Sequence, residues 1–162
     1  MSVESVLTVD DLAEMVDQVW LSYLDPDGTA PLVRVDDEPK TCDVHSSVSI
    51  TGTWHGHIVY ATSTTAARMA AAAFLAMEAD EVSQEDLSDV LGELANIVGG
   101  NVKAMLPPGC FLSLPQVVLA PESATRYPSA IRVSALYGSW HGEPVSVSMW
   151  QSRSDVKKEE TS

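Results

Sequence analysis

The pentapeptide Gly52-Thr53-Trp54-His55-Gly56 recurs 86 residues later as Gly138-Ser139-Trp140-His141-Gly142. Each copy lies between two runs with strand character, 43–52 and 57–62 for the first, 130–137 and 145–151 for the second. A short glycine-bounded turn between two strands makes a hairpin, and hairpins force antiparallel neighbours. Before each hairpin comes a further strand-like run (31–35 and 110–119). Before that comes a helix-period segment opened by a capping box, Thr8 with Asp11 and Ser83 with Asp86. The two helices align over a short span, Asp10-Asp11-Leu12-Ala13-Glu14-Met15-Val16-Asp17 against Asp89-Val90-Leu91-Gly92-Glu93-Leu94-Ala95-Asn96. The expected architecture is therefore α+β: a duplicated helix–three-strand unit, a largely antiparallel sheet, and helices packed on it. The expected domain is 1–151, with pseudo-repeats at about 8–63 and 83–151 joined by an alanine-rich helix over 64–79, and residues 152–162 as a flexible polar tail.

A chain of 162 residues with 45% hydrophobic content can bury a core without staples. Its net charge of −14 repels phosphates, which excludes nucleic acid and anionic membrane surfaces as the main partners. The longest apolar run, 70–77, is too short to span a bilayer. Residues 1–11 carry Glu4, Asp10 and Asp11 with no Lys or Arg, the reverse of a signal peptide, so a cytoplasmic location is expected. Cys42 and Cys110 are too few for a disulfide framework or a zinc site and read as small core hydrophobes. The phosphate-loop, serine-hydrolase and zinc-protease motifs are missing from the sequence.

The segment from Ser83 toward Met105, stopped by Pro107-Pro108-Gly109, carries the chemistry. Leu87, Val90, Leu91, Leu94, Ile97, Val98 and Met105 fall on one broad face at helical spacing, and that face must be buried. Asp89, Glu93, Asn96 and Gly100 fall on the other side. Gly92, Gly99, Gly100 and Ala104 stand around this polar line. Each glycine costs about 1 kcal/mol relative to alanine in a helix interior, so helix stability does not select them. A bare Glu-x-x-Asn is short and common, and a solvated helix face would account for it. The surrounding glycines suggest instead a surface that another macromolecule approaches closely.

The run Asp89-x-x-x-Glu93-x-x-Asn96-Ile97-Val98-Gly99-Gly100-Asn101-Val102-Lys103, followed by Leu114-Pro115, resembles the CheX branch of the CheC/CheX/FliY chemotaxis phosphatases. The capped first helix, the 48–62 hairpin, the helix after it and the closing hairpin look like that family too. The resemblance implies hydrolysis of the aspartyl phosphate on a CheY-type response regulator. It implies Asn96 as the residue that positions water and Glu93 as the ion-pair partner of the regulator's active-site lysine. It further implies docking support from Asp89, Gly92, Gly99 and Gly100, a homodimer, and no cofactor of the chain's own, Mg2+ being held by the regulator. The first repeat places Asp10, Glu14 and Asp17 where the second has Asp89, Glu93 and Asn96. A carboxylate in place of Asn96 would repel a phosphoryl group, so that copy is expected to be inactive.

Two other classes compete. One is a non-catalytic adaptor binding a response regulator or flagellar-switch protein through the same helix. The other is a dimerisation module, which leaves the polar stripe unexplained. Among minor features, His55-x-His57 reads as turn and packing rather than metal, since Glu143 replaces the second histidine in the other copy. Trp54 and Trp140 are expected to cover a sheet edge or subunit contact. Pro115 marks an edge or bulge, and Asn101 is expected on the apolar face, bonded to backbone.

Overall fold

The computed structural model describes residues 7–40, 42–119 and 129–155. Helix α1, Val9–Val19, opens on the anticipated box: Thr8 Oγ1 accepts from the Asp11 amide at 3.1 Å, and the Asp11 carboxylate accepts from the Thr8 amide at 2.9 Å. Two donors that a helix start leaves unpaired are thereby satisfied. Leu12, Val16 and Val19 point inward, and a π turn over Trp20–Leu24 turns two further large residues, Trp20 and Leu24, into the core.

Strands β1 (Val33–Arg34), β2 (Val44–Gly52) and β3 (Gly56–Thr62) follow, then helix α2 (Thr64–Leu75), a 3-10 turn (Ala79–Glu81) and helix α3 (Gln84–Met105). Strands β4 (Cys110–Leu112), β5 (Gln116–Val118), β6 (Ala130–Trp140) and β7 (Glu143–Ser152) complete the order. All pairings are antiparallel, in the order β1-β6-β7-β3-β2-β4, with β5 also beside β2. This α+β sheet reads alike from either edge. The hairpins β2–β3 and β6–β7 meet at the centre, and the strand before each hairpin crosses over to pair with the other one.

That crossing explains the first glycine of the repeated pentapeptide. Gly52 lies opposite Cys110 of β4, and Gly138 lies opposite Arg34 of β1. A Cβ on Gly52 would run into the Gly109 carbonyl, and one on Gly138 would lie 2.7 Å from Leu32 Cδ1. The edge strands approach too closely for any side chain. The turns themselves differ. His141 (φ 51°) and Gly142 (φ 79°) close Trp140 onto Glu143 as a two-residue loop with both central residues at positive φ. The first hairpin instead loops out through Thr53, Trp54 and His55.

Val44, Ser46, Val48 and Ile50 alternate inward along β2 and meet α3. Trp54 and Trp140 are buried, not edge or subunit covers. Trp140 meets Trp20 edge-on, centroids 5.7 Å apart, and its Nε1 donates to the Ala30 carbonyl at 2.8 Å. The large apolar area of each ring is worth more inside than on a rim, and both belong to the buried core.

Three boundaries depart from the sequence expectation. Helix α2 stops at Leu75, where Ala76 turns left-handed (φ 53°) and its amide bonds to Ala72 and Ala73. The 110–119 run is two strands, because residues 113–115 on one side face only Val48 and Ser49 on β2 between the pairs Ile50↔Leu112 and Ser47↔Gln116. One extra residue makes a bulge, and Pro115 has no amide to give to the ladder. Residues 152–155, expected in the tail, are held: the Arg153 amide donates to the Ser129 carbonyl at 2.8 Å, and Asp155 accepts from the His55 amide at 2.8 Å. Residues 156–162 lie outside the described residues.

Candidate functional site

Helix α3 opens on its own capping box, Ser83 with Asp86, and runs unbroken for 22 residues. Leu87, Val90, Leu91, Leu94, Val98 and Val102 are buried, which turns the opposite row outward. On that row Asp89 and Glu93 are exposed and Asn96 is half-buried. Glu93 and Asn96 are about 4.5 Å apart along the axis and neighbours around it. Among the described residues, no intramolecular hydrogen bond engages the Asn96 carboxamide or the Glu93 carboxylate. A carboxylate and a carboxamide thus stand side by side with their bonding capacity unspent.

Three contacts prevent α3 from rolling. The buried Ser46 hydroxyl of β2 donates to the Leu91 carbonyl at 2.7 Å. Gly99 lies flat on β2, where an added Cβ would be 2.5 Å from Val48 Cγ2. Gly92 lies beneath the bulge, where an added Cβ would be 3.2 Å from Pro115 Cγ. Gly92 and Gly99, grouped in the sequence with Gly100 as partner-facing, are therefore buried against the chain's own sheet. Their missing side chains let the helix seat itself. Gly100 is half-buried, a Cβ added to it would come no nearer than 4.0 Å to Leu112 Cδ1, and it remains at the border of the polar row.

Asn101 is exposed rather than turned to the apolar face. It shares a row with Ile97 and Met105, both only half-buried, so that row is the rim of the packed face. There it borders a groove of about 460 Å³ between α1 and α3, beside Glu14, Met15 and Met105. Asp10, Glu14 and Asp17 are all exposed on α1. One site feature escaped the sequence reading. Ser46 carried a signal, being the one polar residue on an apolar alternating row.

Burial raises the pKa of the Tyr60 hydroxyl in the core beside Trp20, and it also displaces groups on the other face of the sheet. Burial, then Asp43 and Glu38, push the Cys42 thiol up to about 11, and burial lowers His45. Both line a cavity of about 260 Å³ with Arg132, whose Nη1 pairs with Glu38 Oε1 at 2.9 Å. His55 Nδ1 meets Asp155 at 3.1 Å and His57 Nδ1 meets Ser49 Oγ at 3.1 Å, so the two histidines have separate partners. Among the described residues no group of three or more His, Cys, Asp or Glu could hold a metal ion, and no helix is long and apolar enough to cross a membrane.

The family described as "Chemotaxis phosphatase CheX" matches residues 44–137, which include the β2–β3 hairpin and all of α3. No curated protein matches the chain. Among solved structures, chemotaxis protein CheX from Vibrio vulnificus superimposes with a TM-score of 0.71 at 16% identity, over 87% of this chain and 93% of that one. CheX in the CheX–CheY–BeF3–Mg2+ complex from Borrelia burgdorferi gives 0.68 at 15% identity, over 90% and 99%. The FliM middle domain from Vibrio alginolyticus gives 0.60 at 12% identity, over 97% of each chain.

Proposed function

The chain belongs to the chemotaxis phosphatase CheX family, and from that membership we propose that it hydrolyses the aspartyl phosphate of a CheY-type response regulator. Asn96 positions the attacking water, and Glu93 pairs with the regulator's active-site lysine. The observation that carries this reading is the outward pairing of Glu93 with Asn96 on a helix locked by Ser46, Gly92 and Gly99. The related Borrelia structure, which holds CheX with CheY, BeF3 and Mg2+, supports the partner class.

Phosphoryl transfer to water asks for position and charge neutralisation more than covalent help. The Asn96 carbonyl oxygen accepts a hydrogen bond from the water while its amide donates another, holding the water opposite the scissile bond. The water oxygen bonds to phosphorus as the phosphorus–oxygen bond to the aspartate breaks. The electron pair leaves with the regulator's carboxylate, and the water's proton goes to the released phosphate. Glu93 fixes the register of the complex through a charge-assisted hydrogen bond. Asp89, one turn earlier, supports docking. Mg2+ sits among the regulator's own carboxylates, and the protein works as a cytoplasmic homodimer.

The test is the lifetime of a phosphorylated regulator with and without the protein. The parent shortens it. Asn96→Ala binds the beryllofluoride-loaded regulator as before but loses about 100-fold in rate, and the same result rules out hydrolysis by the Asp10–Glu14–Asp17 face. An unchanged lifetime despite binding assigns the adaptor role instead. Light scattering that gives a monomer at micromolar concentration removes the homodimer.

A further inference from the structure

We infer that the cavity on the helix-free face of the sheet is a binding site for a small oxyanion, a carboxylate or phosphate group on a compact molecule, with the Arg132 guanidinium as its receptor. It lies across the sheet from Glu93 and Asn96 and does not depend on the function proposed above. The central strands build its floor. Val59 pairs with Ser148 and Ala61 with Ser146 across β3 and β7, which sets four small side chains side by side. The uncovered face of an antiparallel sheet ordinarily meets water, yet Val59 and Ala61 are 5% exposed and Ser148 6%. Larger residues stand around them. His45 of β2 lies opposite Ala61, Trp150 is two positions beyond Ser148 on β7, and Arg132 of β6 lies opposite Trp150. Glu38, Lys40 and Cys42, between β1 and β2, complete the wall. The space, about 260 Å³, falls below the roughly 300 Å³ at which sites for drug-sized ligands begin, so the occupant is compact.

The charge of the wall names the ligand. On a molecule of net charge −14, two of the nine Lys and Arg converge here, and Glu38 is the one carboxylate among the described lining residues. Burial keeps the Cys42 thiol and the His45 ring neutral at pH 7, so neither cancels the two cations. The nearby Asp43 carboxylate is engaged by Thr64, accepting from its amide at 3.0 Å and its hydroxyl at 3.1 Å. Arg132 is positioned before anything binds. Its guanidinium carbon lies 5.9 Å from the centroids of both the Tyr137 and Trp150 rings, and Nη1 donates to Glu38 Oε1 at 2.9 Å. A guanidinium carries five N–H donors in a planar fork that matches carboxylate and phosphate oxygens. Glu38 holds one of its nitrogens, and the Glu38 side chain is 60% exposed, so an incoming oxyanion displaces it into water at little cost. At the floor, Ser148 Oγ accepts from Trp150 Nε1 at 2.9 Å, which leaves the Ser148 proton to donate. A cationic occupant would instead meet Arg132 and Lys40 as like charges.

The experiment follows the Trp150 indole N–H by nitrogen-15 NMR, assigned with Trp150→Phe, while sodium phosphate, sodium acetate or sodium chloride is added to the full chain at constant ionic strength. The expected result is a saturable shift with phosphate or acetate, at a Kd in the millimolar range, and none with chloride. The tighter of the two oxyanions assigns the head group of the ligand. Arg132→Gln weakens binding about tenfold or more, because a charge-assisted receptor is lost. Glu38→Gln tightens it about two- to fivefold, because the competitor for Nη1 loses its charge; a purely structural ion pair would give no such gain. Lys40 is exposed and bonded to no other described residue, so Lys40→Gln leaves the fold intact and weakens binding about two- to fivefold. That variant decides the matter if Arg132→Gln fails to fold. Equal shifts with chloride overturn the inference, as does a folded Arg132→Gln or Lys40→Gln variant that titrates like the parent. Weaker binding by Glu38→Gln also overturns it, since the carboxylate would then support the site instead of competing for it.

Discussion

Asparagine and aspartate differ by a charge and almost nothing in volume, so position 96 separates electrostatics from shape. Asn96→Asp is expected to melt with the parent, since the side chain is half-buried and bonded to no other described residue, yet to give no acceleration of phosphoryl-regulator decay. The added carboxylate would face an anionic phosphoryl group. Circular dichroism and a decay assay on one preparation check both halves. The glycines offer an opposite pair. Gly99→Ala pushes a Cβ to 2.5 Å from Val48 Cγ2, and buried, β-branched Val48 cannot rotate away. The expected loss is about 1–3 kcal/mol. Gly100→Ala meets nothing nearer than 4.0 Å and gains up to about 1 kcal/mol from helix propensity. Urea unfolding of the two variants should move in opposite directions. From the sequence the two adjacent glycines could not be told apart, because neither strand β2 nor its Val48 is local to them.

At the scale of elements, the site depends on how α3 is rotated about its own axis. The hydrogen bond from Ser46 to the Leu91 carbonyl reaches the helix between Asp89 and Glu93. Ser46→Ala should cost about 1 kcal/mol in stability and also lower kcat, because the orientation of the Glu93–Asn96 row loosens. A stability loss with kcat untouched would reduce Ser46 to a packing residue. Both helix starts were legible, since a capping box joins residues three apart and needs nothing from the rest of the chain. The stop of α2 at Ala76 was not: a run of alanines carries no breaker, and the Arg68 side chain, donating to the Val82 carbonyl at 3.0 Å, ties the following turn back onto the helix. Nor was the division of 110–119, because a bulge exists only relative to the partner strand it fails to match.

For the molecule as a whole, the sheet has one face under the helices and a second face that carries half-buried histidines. Burial lowers the pKa of both His45 and His57 from the ordinary 6.5. A folded-state pKa below the unfolded one means that the native protein binds fewer protons. Stability from these groups is present above pH 6.5 and is lost as pH falls through the folded values. Thermal melts from pH 7.5 to pH 5 should show a decline that is flatter in the His45→Gln, His57→Gln variant. Equal slopes would place the sensitivity elsewhere.

The chain's own pattern determined the α+β class, the hairpins, the caps and the outward row bearing Glu93 and Asn96, because each is written in spacings of two to four residues that local geometry obeys. The tertiary structure alone decided which glycines face inward, where the tryptophans go, and that Leu114 stands clear of the surface. Those outcomes turn on what lies across the sheet: Gly99 meets Val48, Trp140 meets Trp20, and the three residues 113–115 face only two on β2. Contacts between residues tens of positions apart leave no periodic trace in a sequence, and only the closed sheet brings them together.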